Sequence, residues 1–171
     1  MLRERIKKLA KSIDALVDKD DRAIRQAEEI GQLRRKAALD LYTVCLDFVA
    51  EVNRALSRSE LRLDPAVFTP DDYDDQRLNL FQINVRGRIL QTQFRATPEM
   101  KSTEEFRIPY ILEGAVRCFN QQLLEQDLIE EQLLFYCMEK NRSLWRYFDA
   151  RTYRTGAFDQ EYLVSLMEHL I

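Results

Sequence analysis

Little in this chain suits the binding of a phosphate or a metal. It has 4 glycines in 171 residues and no Walker loop, GxGxxG or GxSxG pattern. No glycine-rich cradle for a nucleotide and no nucleophile elbow is therefore expected. His169 is the single histidine, and Cys45, Cys118 and Cys137 show neither CxxC nor CxH spacing. Those donors do not make up a zinc set, so no metal and no cofactor is expected. No apolar run approaches the roughly 20 residues of a membrane span. The opening residues, MLRERIKKLAKS, are basic but lack an unbroken apolar stretch and a small-residue cleavage site. They read as part of a structural helix and not as a secretory leader. Together with the cysteine usage, this points to a reducing, cytoplasmic setting.

The composition is 46% hydrophobic and 32% charged, enough for a packed core; disorder over the whole chain is excluded. The net charge of −3 speaks against a general nucleic-acid coat or a binder of anionic membranes, while leaving room for a local basic patch.

What the chain does have is a long helical opening. Over residues 2–56, Ile6, Leu9, Ile13 and Leu16 recur at spacings of three and four, and the rhythm continues through Ala23, Ala27, Ile30, Ala37, Leu41, Val44, Phe48 and Ala55. Such a stripe lets one helix lie against another. Asp20 and Arg34 fall on seam positions, and Asp18, Asp20 and Asp21 would also serve to start a second helix. Two readings stand: one continuous helix with polar register-setting positions, or a break after Val17. The unchanged heptad phase and the absence of Pro or Gly at the gap favour continuity. Beyond Gly31 the seam widens to a broad face with Ala38, Tyr42, Cys45, Val49 and Val52. A narrow seam meets one partner helix, whereas a broad face packs on a core. Residues 1–30 are thus expected to project and pair as a coiled coil, with Ile6, Leu9, Ile13, Leu16, Ala23, Ala27 and Ile30 at the dimer contact. Residues 31–171 are expected to form one α+β domain.

Residues 57–77, with Pro65, Pro70 and an acidic run at 71–75, read as a linker. The run lacks the glycine and the closing glutamate of a calcium loop, so it reads as a solvated acidic loop. From Leu78 the period becomes two: Phe81, Ile83 and Val85 alternate with polar residues, and Arg86-Gly87 signals a hairpin to a strand at 88–96. A loop is expected at 97–103. Phe106, Ile108, Tyr110 and Leu112 alternate next, and Glu113-Gly114 reads as a second turn before a strand at 115–121. Residues 109–126 also fit a helix with proline in its first turn. A hairpin centred between Asp127 and Leu128 would set Cys118 opposite Cys137 within disulfide reach, against the plainer reading of buried thiols filling a core. Leu133 to Glu139 and Leu144 to Arg151 form a strand pair around a turn at 140–143. Thr155-Gly156 marks a chain break, and Asp159 starts a last helix with Tyr162, Leu163, Leu166, Met167 and Leu170 on one face. The sum is an antiparallel sheet of five to six strands covered by the long helix and the C-terminal helix.

Residues 140–156 reverse the local charge: Lys140, Arg142, Arg146, Arg151 and Arg154 stand against Asp149, interleaved with Trp145, Tyr147, Phe148 and Tyr153. Arginine with aromatic groups suits base stacking and phosphate pairing, and equally suits carboxylates of a protein partner. The plain alternative puts the aromatics inward and the arginines outward. Arg142, Trp145, Arg146, Tyr147, Asp149, Arg151, Tyr153 and Arg154 are the candidate binding residues, with Arg86, Arg88 and Arg95 extending the patch if their strands lie close. No catalytic residue is assigned; a lone His169 near a helix end is most simply a surface residue, and an enzyme would have to draw on Asp149, Arg151, Tyr153 or Arg154. The expected function is a non-enzymatic protein-interaction module, a homodimer through its N-terminal helix with a sheet domain that binds a protein. The alternative is a binder of an anionic ligand or nucleic acid through residues 140–156.

Overall fold

Among the described residues, seven strands follow one another in space as they do in the sequence. The structure, a computed structural model, describes residues 1–103, 106–121 and 130–171, without the side chain of Lys101. Helix α1 (Leu2–Ala55) is followed by β1 (Arg62–Asp64), β2 (Asn79–Val85), β3 (Arg88–Lys101), β4 (Tyr110–Asn120), β5 (Glu130–Met138), β6 (Ser143–Asp149), β7 (Arg154–Ala157) and α2 (Gln160–Leu170). Each strand pairs antiparallel with the next, giving an α+β fold with one sheet. The chain divides into two units, Met1–Leu33 and Arg34–Ile171. No helix among the described residues is long and apolar enough to cross a membrane.

Helix α1 runs unbroken through Asp18 to Asp21, so the continuous reading holds. Its only glycine, Gly31, costs about 1 kcal/mol relative to alanine, too little to interrupt 54 residues. At its end Asn53 turns the chain back: its Nδ2 donates to Leu61 O at 3.0 Å, and Leu61 N donates to its Oδ1 at 2.7 Å. Arg34, a seam position, spends its guanidinium on the sheet, donating to Ile111 O at 3.1 Å and Thr97 O at 2.5 Å.

The sheet has seven strands among the described residues where five to six are expected, and the two unforeseen ones, β1 and β7, are short. β1 lies inside the stretch read as a linker, where Leu61, Phe68 and Tyr73 are buried. The acidic run there is spent locally: Asp72 accepts from Thr69 N and Oγ1, and Asp74 accepts from Gln76 N. β7 contains Thr155 and Gly156, which are not a chain break. The Arg86-Gly87 turn is as expected, with φ of 51° and 83° and Gly87 N donating to Asn84 Oδ1. The 97–103 loop is not: β3 continues through Pro98 to Lys101, across an irregularity between Ala96 and Lys101. Nor is Glu113-Gly114 a turn, because β4 is one strand from Tyr110 to Asn120, which also settles residues 110–120 as strand. The β4–β5 register sets Cys118 against Glu130 and Cys137 against Tyr110, so the two thiols do not face each other. All three cysteines are free and buried. The expected hairpin centre at 127–128 lies outside the described residues.

Alternation along β6 sorts the core. Trp145 donates Nε1–H to Ala37 O of α1 at 2.7 Å. Tyr147, two residues on, stacks on Tyr162 of α2. Both helices therefore cover the same face, over Phe81, Phe94, Leu134 and Tyr136. The other face carries a smaller aromatic cluster of Phe106, Tyr110, Phe135, Cys137 and Phe148, beside cross-strand pairs Arg95–Glu113 and Arg117–Glu131.

Candidate functional site

Where β6 and β7 meet α2, a cleft of about 530 Å³ opens, lined by Tyr147, Asp149, Arg154, Gly156, Tyr162 and His169 among others. Tyr147 forms its wall because it points to the helix-covered face, where its ring stacks on Tyr162 with centroids 4.0 Å apart and planes 4° from parallel. Gly156 sits opposite Tyr147 on β7. A Cβ at Gly156 would lie 2.9 Å from the tyrosine ring, so this glycine makes room for an aromatic stack.

A chain of hydrogen bonds runs along the floor. Tyr162 Oη donates to Gln132 Oε1 at 2.5 Å, and Gln132 Nε2 reaches Asp149 Oδ2 at 3.5 Å. Arg151 N donates to Asp149 Oδ1 at 2.9 Å, and the Arg151 guanidinium lies 3.8 Å from the same oxygen. The backbone N–H of Arg151, and secondarily its charge, holds the Asp149 carboxyl below its ordinary value. Burial pushes the Tyr162 phenol well up, so it stays a donor. Because the folded Asp149 pKa lies below the unfolded one, its stabilisation is complete above the unfolded value and is lost as pH falls through the folded value. Asp149→Asn is therefore expected to flatten the acid limb of the stability profile below about pH 4, as read from urea midpoints across that range.

The carboxylates of Glu130, Asp149, Asp159 and Glu161 outnumber the one guanidinium, that of Arg154, around this cleft. They do not converge on one point. Asp159 caps α2 by accepting from Tyr162 N at 2.9 Å. Glu130 lies 3.7 Å from Arg151. His169 Nδ1 lies 2.7 Å from Ser165 O, so its Nδ1–H is spent on the helix. Among the described residues no group of three His, Cys, Asp or Glu could hold a metal ion. The arrangement is an acidic, aromatic-walled recess.

Of the candidate binding residues, Tyr147, Asp149 and Arg154 meet in this cleft. Arg151 stands just beyond it, past the end of β6, paired with Glu130 and Asp149. The others are dispersed. Trp145 is buried under α1. Arg146 points to the opposite face and pairs with Glu139 at 2.6 Å. Arg142 is exposed at the β5–β6 turn, and Tyr153 is exposed in a left-handed turn with φ 57°. Arg88 and Arg95 lie on β3, separated from β6 by β4 and β5. Sequence reasoning did not single out Gln132 and Tyr162 for this site; Tyr162 reads as core on the α2 face, and only its register with Tyr147 brings it here.

The seam residues form a second candidate surface, within Met1–Leu33. Ile6, Leu9, Ile13, Leu16, Ala23 and Ala27 are exposed, and Ile30 is half-buried. Val17 and Ile24, beside the seam, are also exposed. The chain matches no family model, no curated protein and no solved structure.

Proposed function

We propose that this chain is a non-enzymatic protein-interaction module that dimerises through residues 1–30 and holds a protein partner with its sheet unit. The supporting observation is a contrast along one helix. Leu41 and Phe48, on the seam, are 0% and 2% exposed, whereas Ile6, Leu9, Ile13 and Leu16, on the same seam, are between 51% and 59% exposed. A helix polar all round would need no such residues; an apolar stripe on a long helix is a surface built for another helix.

The energetics admit a reversible dimer. Seven large apolar side chains per copy are about half exposed there: Leu2, Ile6, Leu9, Ile13, Leu16, Val17 and Ile24. Covering the exposed halves on both copies is worth on the order of 10 kcal/mol. Association costs about 4–15 kcal/mol in lost freedom, so the dimer is expected to depend on concentration. Ile13→Asp with Leu16→Asp in the full chain is expected to give a monomer by light scattering, with the urea midpoint of the sheet unit unchanged. An unaltered mass would sink the reading.

For the protein partner the cleft beside α2 is the favoured surface, since its excess of carboxylates suits a basic segment. The nucleic-acid reading has less support. Base stacking needs exposed rings, and Trp145 and Phe148 are buried on opposite faces of the sheet.

A further inference from the structure

Resting on that dimer reading, we propose that the second copy docks antiparallel, in one register: Ile13 meets Leu16 of the second copy, Ile6 meets Ala23 of the second copy, and Leu2 meets Ala27 of the second copy.

Side-chain size carries the argument furthest. The seam is large at its start, with Leu2, Ile6 and Leu9, and small at Ala23 and Ala27, ahead of Ile30, which is already half-buried in its own chain. Two parallel copies would stack large on large at one end and Ala on Ala at the other, leaving thin layers with gaps between the helices. Reversing one copy pairs Leu2 with Ala27 and Ile6 with Ala23 and places Ile13 and Leu16 of both chains at the centre. No layer is then alanine on alanine, the gap that close packing disfavours.

The flank of the seam agrees. Ala10, Val17 and Ile24 follow Leu9, Leu16 and Ala23 and run along one side of the stripe; Val17 and Ile24 are 50% and 57% exposed. In a parallel pair that flank would meet the opposite flank of the second copy, with Arg5, Ser12 and Lys19. In an antiparallel pair like flanks meet, so Val17 covers Ala10 of the second copy. Asp20 is the one seam residue between 2 and 30 that carries charge. Parallel pairing would bury it against Asp20 of the second copy, two like charges in a desolvated layer. Antiparallel pairing sets it against Leu9 of the second copy, next to Lys8 of that copy.

Charge also runs in blocks. Arg3, Arg5, Lys7, Lys8 and Lys11 stand against Glu4 alone, and Asp14, Asp18, Asp20 and Asp21 follow with Lys19, Arg22 and Arg25. Reversal lays the basic block of each copy beside the stretch of the other that holds the aspartates; parallel pairing lays basic block beside basic block. The blocks sit mostly outside the seam, so they act as a screened field that selects orientation.

The test uses the full chain with one added cysteine per variant, since Cys45, Cys118 and Cys137 are all buried. Ile6→Cys and Ala23→Cys are oxidised separately and as an equimolar mixture, and the unaltered chain serves as control. In the proposed register residue 6 lies about 25 Å along the axis from its own counterpart, far beyond disulfide reach. The expected result is a cross-linked dimer in the mixture and none in either variant alone. Cross-linking within each variant alone would mean a parallel pair and overturn the proposal while leaving the dimer intact. A dimer by sedimentation with no cross-link in the mixture would overturn the register. Monomers throughout, the unaltered chain included, would remove the dimer reading itself.

Discussion

Replacing Trp145 with alanine is expected to lower the unfolding free energy by about 3–5 kcal/mol, the range for emptying a large aromatic site in a core. Trp145 is 5% exposed and is the contact through which β6 meets α1. Its ring meets Phe94 edge-on at 5.3 Å and Tyr136 at 5.4 Å, and its indole N–H is held by Ala37 O at 2.7 Å. Alanine removes both the packing and the bond. Phenylalanine removes chiefly the bond and part of the volume, so Trp145→Phe should cost about 1–2 kcal/mol. Urea unfolding followed by far-ultraviolet circular dichroism separates the two, since the chain has no other tryptophan to report by fluorescence. Equal losses for Phe and Ala would mean that the hydrogen bond, and not the packing, holds the contact.

Gly114→Ala is the other change with a large expected effect. Gly114 lies within β4, opposite Phe94 of β3 and Leu134 of β5. A Cβ there would fall 1.8 Å from Gln93 O and 2.8 Å from Phe94 Cα. Both are backbone atoms of the paired strand, so no rotamer change relieves the contact and the β3–β4 ladder must part. The expected loss is about 4 kcal/mol or more, at the severe end for a single substitution and comparable with the whole stability of a small domain. The same change at Gly31, where nothing lies within 4 Å, should raise helix stability by about 1 kcal/mol. Parallel urea titrations of the two variants check the contrast; a Gly114→Ala midpoint near that of the unaltered chain would mean that the strands can shift at little cost.

Gly114 also explains one limit of reading the sequence. A residue-glycine pair between alternating stretches describes Arg86-Gly87, where positive φ makes the hairpin turn. It describes Glu113-Gly114 equally well, where glycine instead permits close approach of two strands. Pattern alone does not separate a need for torsional freedom from a need for space. The long helix was legible because a heptad phase kept over many turns admits few other structures. β5 and β6 were legible because a good turn sits between two long runs. β1 and β7 were not, since three or four residues carry too few alternations to stand out from loop. For the cysteines the plainer reading of buried thiols holds; the alternative that paired Cys118 with Cys137 rested on the position of a hairpin centre, and the register places Cys118 against Glu130.

The candidate site was legible only in part for a related reason. Strict alternation along a strand sets Tyr147 and Asp149 on one face with Trp145, and β6 carries them that way. Extended further it would set Arg151 on that face too, but β6 ends at Asp149 and the chain turns through residues 150–153. Tyr162 and Gln132 join the cleft through tertiary contacts alone, and no local period announces those.

Sedimentation equilibrium of the unaltered full chain over a wide concentration range tests the central claim most directly. The dimer account predicts a mass rising with concentration from 20.3 kDa towards twice that value. A mass of 20.3 kDa at every concentration would contradict it.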